Sequence, residues 1–378
     1  MIIMSPSLEK IINKAVKEKV FPGIVIGVKR GNDSPQFLSF GNYFYPEDPL
    51  FDKKFEVGKE TLFDIASLTK IVTTTAILIL ISRGNLSLDD EIDGILKTEV
   101  FKGIKIRHLL SHVSGLRLSL GSMKEKSKEE MERIILGAGP ATKPAEAIWY
   151  ADQGYYLLGK IIEIISEKHL DVFFKEEIFL KLKMENTIFN PTAEIKNKIA
   201  PTEDCPWRNK LVWGEVHTES AHKLGGISGY AGLFSTAEDL IKIGSFWLND
   251  SEGLIAKDLI DGSKRCPYPN AKNETLAGCC HTLGGWRIND YRITGKKVPE
   301  EILSLTGFTG PTLMIDYSKK ITVAITHSYL HPKRKNRHVR GCRVTPLTGI
   351  LAHIVNGRVA RWLSYPCPIT PFSNSDYA

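Results

Sequence analysis

An α/β fold joined to an all-α part is what this sequence predicts: an antiparallel sheet flanked by N- and C-terminal helices, with a helical domain inserted. Three observations carry that expectation. Strand-like segments cluster at both ends of the 378-residue chain, helix-periodic segments fill its middle, and a helical pattern follows the last strand. The resulting division is a sheet domain from 1–66 and 283–378 and a mostly helical domain with long loops from 67–282, the candidate site lying in the cleft between.

Taken in order, an amphipathic helix opens with Ser7 as its N-cap, carries Leu8, Ile11, Ile12, Ala15 and Val16 on one stripe, and stops at Phe21-Pro22-Gly23. Ile24–Lys29 and Gln36–Phe44 read as strands around the turn Gly31-Asn-Asp-Ser-Pro35. Helical segments follow near 68–82, 105–111, 127–136, 152–168 and 171–182, and Thr236-Ala-Glu-Asp239 reads as a capping-box start of another. Gly284–Ile288, Ser304–Tyr317 and Ile321–His327 read as strands and Pro346–Leu363 as a closing helix. Residues 190–230 and 250–282, rich in Pro, Gly, Asn and Cys, read as loops around a site.

Composition narrows the class. Apolar and charged fractions of 42% and 25% are those of a globular protein. Much of the net charge of +7 lies in His331–Arg340, a run without interleaved aromatics that reads as a solvated loop and not as a nucleic-acid or membrane surface. The uncharged run Ile71–Ser82 is too short and too rich in threonine to span a bilayer, and the N-terminus lacks a secretory pattern, so a cytoplasmic protein is expected. The six cysteines, at 205, 266, 279, 280, 342 and 367, form no Cys-x-x-Cys array; neither a disulfide framework nor a zinc site is expected, and Cys279 and Cys280 read as buried thiols. No cofactor or metal is called for, and the oligomeric state is not legible.

The stretch with most chemical content is Phe63-Asp-Ile-Ala-Ser-Leu-Thr-Lys70. Residues three apart on a helix share a face, so the Lys70 ammonium can reach the Ser67 oxygen. The start of a helix adds free N–H groups and a positive dipole end, which suit a developing oxyanion. A serine so placed attacks a carbonyl without a histidine. Ser-x-x-Lys also occurs at Ser7–Lys10, within the first helix, and at Ser220–Lys223, ahead of a glycine-rich stretch where no stable helix is expected. Only Ser67 precedes a long apolar segment.

Two further groups complete a candidate constellation. Tyr150, just before the apolar helix that begins near Asp152, can offer a phenol whose ionised form a nearby ammonium favours; Tyr268 is a rival in a loop with no helix to fix it. Thr306-Gly307-Phe308-Thr309-Gly310 places glycine where another backbone or a ligand approaches closely, and the Phe308 N–H is a candidate second oxyanion donor.

These pieces, in this order, resemble the serine β-lactamases and penicillin-binding proteins, in particular the class C-like branch with its esterases and D-amino-acid peptidases. Ile106-Arg-His-Leu-Leu-Ser-His-Val-Ser-Gly-Leu116, Gly84-Asn-Leu-Ser-Leu-Asp-Asp90, Gly232-Leu-Phe-Ser-Thr-Ala-Glu-Asp-Leu240 and Gly214-Glu-Val-His217 extend the resemblance over nearly the whole chain. It implies an acyl-enzyme hydrolase of a small ester, amide or cell-wall-type peptide, with Ser67 acylated and Lys70 and Tyr150 moving protons. Asp152, Leu305, Thr306, Gly307 and Phe308 then line the substrate, and His108 and His112 are structural, not metal ligands. Two positions depart from the family pattern. Leu305 stands where Lys or His is usual, and Asp152 ends the Tyr-x-Asn element, so one cation is lost and one anion added. Neutral esters or amides are therefore expected to be preferred over β-lactams unless His327 or Arg343 replaces the cation. The alternative reading is a non-hydrolytic penicillin- or muropeptide-binding protein of the same fold.

Overall fold

Residues 6–249, 253–273, 280–288 and 301–334 are described by the computed structural model of the chain. Its largest sheet is built from β1 (Gly23–Arg30), β2 (Gln36–Gly41), β3 (Cys280–His281), β4 (Arg287–Ile288), β5 (Ile302–Thr306), β6 (Thr312–Asp316) and β7 (Ile321–His327), in the order β3-β4-β5-β6-β7-β1-β2. Each neighbouring pair is antiparallel. The two ends of the chain meet in the β1–β7 ladder, from Ile24 opposite His327 to Arg30 opposite Ile321.

Period-two alternation gives the sheet two apolar faces. Ile24, Ile26, Val28, Met314, Val323 and Ile325 pack with Leu8, Ile12 and Ala15 of α1 (Pro6–Lys17). Val25, Leu303, Leu305, Leu313, Ile315 and Ala324 face the other way and join a larger core. That core includes residues of α2 (Thr69–Ser82), α3 (Asp152–Ser166) and α4 (Ala237–Asn249). Every α2 residue from Thr69 to Leu80 is buried. Its threonines are satisfied through tertiary hydrogen bonds: Thr73 donates to the Gly229 carbonyl at 2.7 Å, and Thr75 accepts from the Trp247 indole at 3.1 Å. Among the described residues no helix is long and apolar enough to cross a membrane.

Several expectations need correction. Helix α1 starts at Pro6, one residue before the anticipated cap at Ser7. The second strand ends at Gly41, whose φ of 80° takes the chain out of the sheet. The segment 304–317 is a hairpin, not one strand, because Gly307 to Pro311 turn the chain between β5 and β6. The Gly284–Ile288 strand shrinks to β4, and β3 was not anticipated. Cys280 forms a disulfide with Cys266, 14 residues away, so it is not a free thiol; a pairing across an irregular loop leaves no spacing signature. Part of the basic run is buried: His331 packs on Phe44, and Arg334 is ion-paired with Glu203 and Glu219. Thr236 does cap α4, accepting from the Asp239 N–H, but the Asp239 carboxylate bonds Thr187 and the Asn186 N–H instead of closing the box. The closing helix Pro346–Leu363, Arg343 and Cys279 lie outside the described residues.

Candidate active site

Ser67 sits on the single 3-10 turn Ala66–Leu68 that runs directly into α2. The turn is tied down from below. Asp64 is wholly buried and accepts from the Ala66 N–H at 2.9 Å and from the His217 N–H at 2.6 Å. Burial pushes the Asp64 carboxyl above its usual range, against the pull of those two N–H groups. Ala66 itself has φ of 45°, a left-handed conformation that costs an alanine on the order of 1–3 kcal/mol and aims the next side chain outward. Ser67 is accordingly half-buried while its neighbours are buried.

Lys70, one helical turn on, is 1% exposed. Its ammonium contacts Ser67 Oγ at 3.2 Å, Asp152 Oδ1 at 2.7 Å and the Tyr230 carbonyl at 3.2 Å. Burial opposes the Lys70 charge, but the Asp152 carboxylate, and after it Tyr150, more than offset this and hold its pKa above the ordinary lysine value. Asp152 is the first residue of α3 and is about a third exposed, so it faces both the lysine and the open side of the site. The Tyr230 carbonyl comes within reach because Gly229 lies flush on α3, where a Cβ would sit 2.2 Å from the Tyr155 carbonyl.

Tyr150 stands over the same ammonium, with Lys70 Nζ 4.8 Å from its ring centroid. The phenol oxygen is buried without a partner at hydrogen-bonding geometry, and its ring is packed by His112 at 4.4 Å and His281 at 5.4 Å. Burial, then the nearby His281, Lys70 and Arg287, push the His112 pKa well below the ordinary value and keep it neutral. His108 turns elsewhere, accepting from the Lys105 N–H to close its own helix start, with a pKa lowered to about 4 by burial and by Lys105 and Arg107. The rival Tyr268 packs at a tilt against His108, ring centroids 5.9 Å apart.

The strand-end segment reaches Ser67 from the opposite side. Gly307 lies so close to the turn that a Cβ there would sit 2.5 Å from the Ile65 carbonyl, and Thr309 donates to the Asp64 carbonyl at 2.6 Å. Phe308 is thereby held between two residues clamped to the chain just before Ser67. Thr306 is half-buried and accepts from the Thr312 hydroxyl. Leu305 is different. It is fully buried in the core below β5 and presents no surface to a ligand. His327 is also buried, its ring against Phe21 and beneath Gly310, where it is no substitute cation for an open cleft.

Three features escaped the sequence reading: the clamp through Asp64 and Thr309, the Arg287 guanidinium 4.8 Å over the Tyr150 ring, and a cluster of the buried Glu203 and His217 with the half-buried Glu219 and Arg334. In that cluster Arg334 lies 5.4 Å over the Phe308 ring. Only His217 carried a signal, in the Gly-Glu-Val-His stretch.

The family model described as Beta-lactamase matches residues 8–341. The N-acetylmuramyl-L-alanine amidase of Bacillus subtilis strain 168 is 27% identical over 355 residues, covering 82% of this chain and 78% of the relative. A putative D-alanyl-D-alanine carboxypeptidase of Escherichia coli strain K12 is 27% identical over 324 residues, with 76% and 73% covered. Among solved structures, the octameric penicillin-binding protein homologue from Pyrococcus abyssi superposes with a TM-score of 0.70 at 23% identity, covering 92% of this chain and 77% of that one. EstCE1, a hydrolase with promiscuous acyltransferase activity, gives 0.67 at 18% identity, with 90% and 97% covered. The chain belongs to the Beta-lactamase family and is an enzyme of its hydrolase type.

Proposed function

We propose that the protein hydrolyses neutral esters or amides, of the kind found in cell-wall peptides, through an acyl-enzyme on Ser67. The observation that carries this reading is the contact of a buried, charge-stabilised Lys70 with Ser67 Oγ at 3.2 Å, with the Tyr150 ring over the same ammonium. Because the Asp152 carboxylate favours the protonated lysine, the ammonium serves as donor and electrostatic anchor, and Tyr150 in its ionised form is the acylation base. Ser67 Oγ bonds to the carbonyl carbon as its proton passes to Tyr150. The carbonyl oxygen takes up the electron pair and is held by the Ser67 and Phe308 N–H groups. Collapse breaks the bond to the leaving group, which departs with the proton from Tyr150; water then repeats the sequence to release the acid. The expected division into a sheet part and a helical part with the reaction in the cleft between them belongs to this reading.

The preference for neutral substrates rests on charge. Leu305 is apolar and buried, Asp152 adds a carboxylate, and Arg334 is already held by two glutamates. A missing charge-assisted hydrogen bond weakens binding of an anionic substrate by roughly ten- to a hundredfold. The Cys266–Cys280 disulfide favours an oxidising compartment over the cytoplasm expected from the sequence.

Intact-mass and stopped-flow measurements with a short-chain nitrophenyl ester, a penicillin and a chromogenic cephalosporin test both parts. A product burst and an adduct lost in Ser67→Ala are expected, with the ester turned over faster than the cephalosporin. Absence of burst and adduct with every substrate would leave a non-hydrolytic binding protein, and a faster cephalosporin would remove the stated preference.

A further inference from the structure

The two N–H groups assigned to the oxyanion come from distant parts of the chain: Ser67 just ahead of α2, and Phe308 in the turn between β5 and β6. One buried residue refers both to a common frame. Asp64 accepts from the N–H of Ala66, the residue before Ser67, and its carbonyl accepts from the hydroxyl of Thr309, the residue after Phe308. The Gly310 N–H donates to the Gly307 carbonyl at 3.0 Å and closes the turn. In Gly307-Phe-Thr-Gly310 only Phe308 carries a large side chain, so its ring is the remaining handle on the angle of the turn over Ser67.

That ring is held by a network of charged groups. Phe308 is half-buried, with the His217 ring centroid 5.8 Å from its own and the Arg334 guanidinium carbon 5.4 Å from it. Glu203, 2% exposed, joins the two: its Oε2 meets His217 Nε2 at 2.8 Å and accepts from Arg334 Nε at 3.2 Å and Nη2 at 3.1 Å. Its Oε1 accepts the Arg334 backbone N–H at 3.1 Å, and Glu219 accepts from Arg334 Nη2 at 2.7 Å. The His217 N–H, in turn, donates to the Asp64 carboxylate. A guanidinium whose plane is fixed by two carboxylates is a rigid cover for an aromatic face. Such an ion network gains little stability over apolar packing. Its place on Phe308 gives it a use.

We propose that Arg334 is a positioning residue for the second oxyanion donor: set by Glu203 and Glu219, it clamps the Phe308 ring with His217 and so aims the Phe308 N–H at the oxygen held by the Ser67 N–H. This inference rests on the hydrolase reading. Loosening the clamp misplaces a donor that acts mainly in the transition state, so acylation slows while binding of the ester persists.

The test is a double-mutant cycle in the full chain, comparing native protein, Arg334→Met, Phe308→Leu and both together. Stopped-flow acylation by a nitrophenyl ester and inhibition by an aryl boronic acid, which forms a tetrahedral adduct with serine, are measured for each. Arg334→Met is expected to lower the acylation rate about tenfold and weaken the boronic acid by a similar factor, with the ester's dissociation constant within about twofold of native. In the Phe308→Leu background the same change should cost less than about threefold, because the ring through which Arg334 acts is gone. Where Arg334→Met does not fold, Glu219→Gln, which removes one partner of the guanidinium, enters the same cycle. An equal loss in both backgrounds, or a native rate in Arg334→Met, overturns the proposal. Native protein that shows a burst while the cycle is additive removes this inference alone; native protein with no burst and no adduct removes the hydrolase reading as well.

Discussion

Ser67–Lys70 and Ser220–Lys223 share one four-residue pattern on two helix starts, yet their surroundings differ in exposure and in the partner of the lysine. Ser67 is half-buried on a strained turn, with a buried ammonium at 3.2 Å. Ser220 is 1% exposed inside the one-turn helix Glu219–Lys223, which the glycine-rich context had not led us to expect. It accepts a hydrogen bond from the Tyr230 hydroxyl at 2.9 Å, and the Lys223 ammonium lies 5.9 Å over the Trp207 ring. Tyr230 joins the two regions, its carbonyl facing Lys70 and its hydroxyl facing Ser220. Spacing alone puts the two side chains of each pair on one face. Reactivity further requires an accessible oxygen and an amine kept charged and fixed by partners distant in sequence.

The sharpest way to break this comparison is to remove each hydroxyl in turn. Ser67→Ala is expected to lower kcat/KM with an activated ester by at least about a thousandfold and to abolish labelling by a fluorophosphonate probe. Ser220→Ala should leave kcat/KM within about threefold and lower stability by roughly 1 kcal/mol, from the unpaired Tyr230 hydroxyl. If Ser220→Ala were the inactive variant, the assignment would be reversed.

A smaller effect isolates the turn beneath Ser67. Asp64→Asn keeps the shape but offers only one good acceptor to the Ala66 and His217 N–H groups. We expect destabilisation of about 1–3 kcal/mol in urea unfolding and a fall in kcat of about tenfold, because the strained turn is no longer held. An unchanged kcat would mean that the left-handed Ala66 does not depend on this clamp.

The smallest effect concerns pH. Lys70 has a folded-state pKa above its unfolded value, so its stabilising contribution is complete below about pH 10.4 and is lost as pH rises through the folded value. The native protein should therefore show a steeper fall in Tm in strong alkali than Lys70→Met, with both flat in this respect near neutrality. Parallel curves would show that Asp152 does not hold the ammonium charged.

Much of this was legible from local pattern. Short β-branched apolar runs, the first of them ahead of a turn signal, marked β1 and β7, and the apolar run after Ser67 marked α2. The pairing of the chain ends followed from strands at both termini. The hairpin of β5 and β6 was missed because Gly307 and Gly310 interrupt an otherwise strand-like run, and β3 was missed because two residues show no periodicity. In the site, Ser67, Lys70, Tyr150 and Asp152 were named correctly as neighbours, whereas Leu305 was expected to line the substrate and is instead part of the core. Strand register, not residue type, decides which face a side chain takes.

By itself, the order of residues determined what is set at short range: the helix that sets Lys70 one turn from Ser67, the apolar runs of the long strands, and the acid in place of an amide at 152. Tertiary structure alone decided which of these two Ser-x-x-Lys tetrads meets a carboxylate 82 positions away, and that a guanidinium from β4 lies over Tyr150. The reason is physical: propensity and periodicity act over a few residues, whereas burial and charge pairing are set by whatever the packed chain brings alongside.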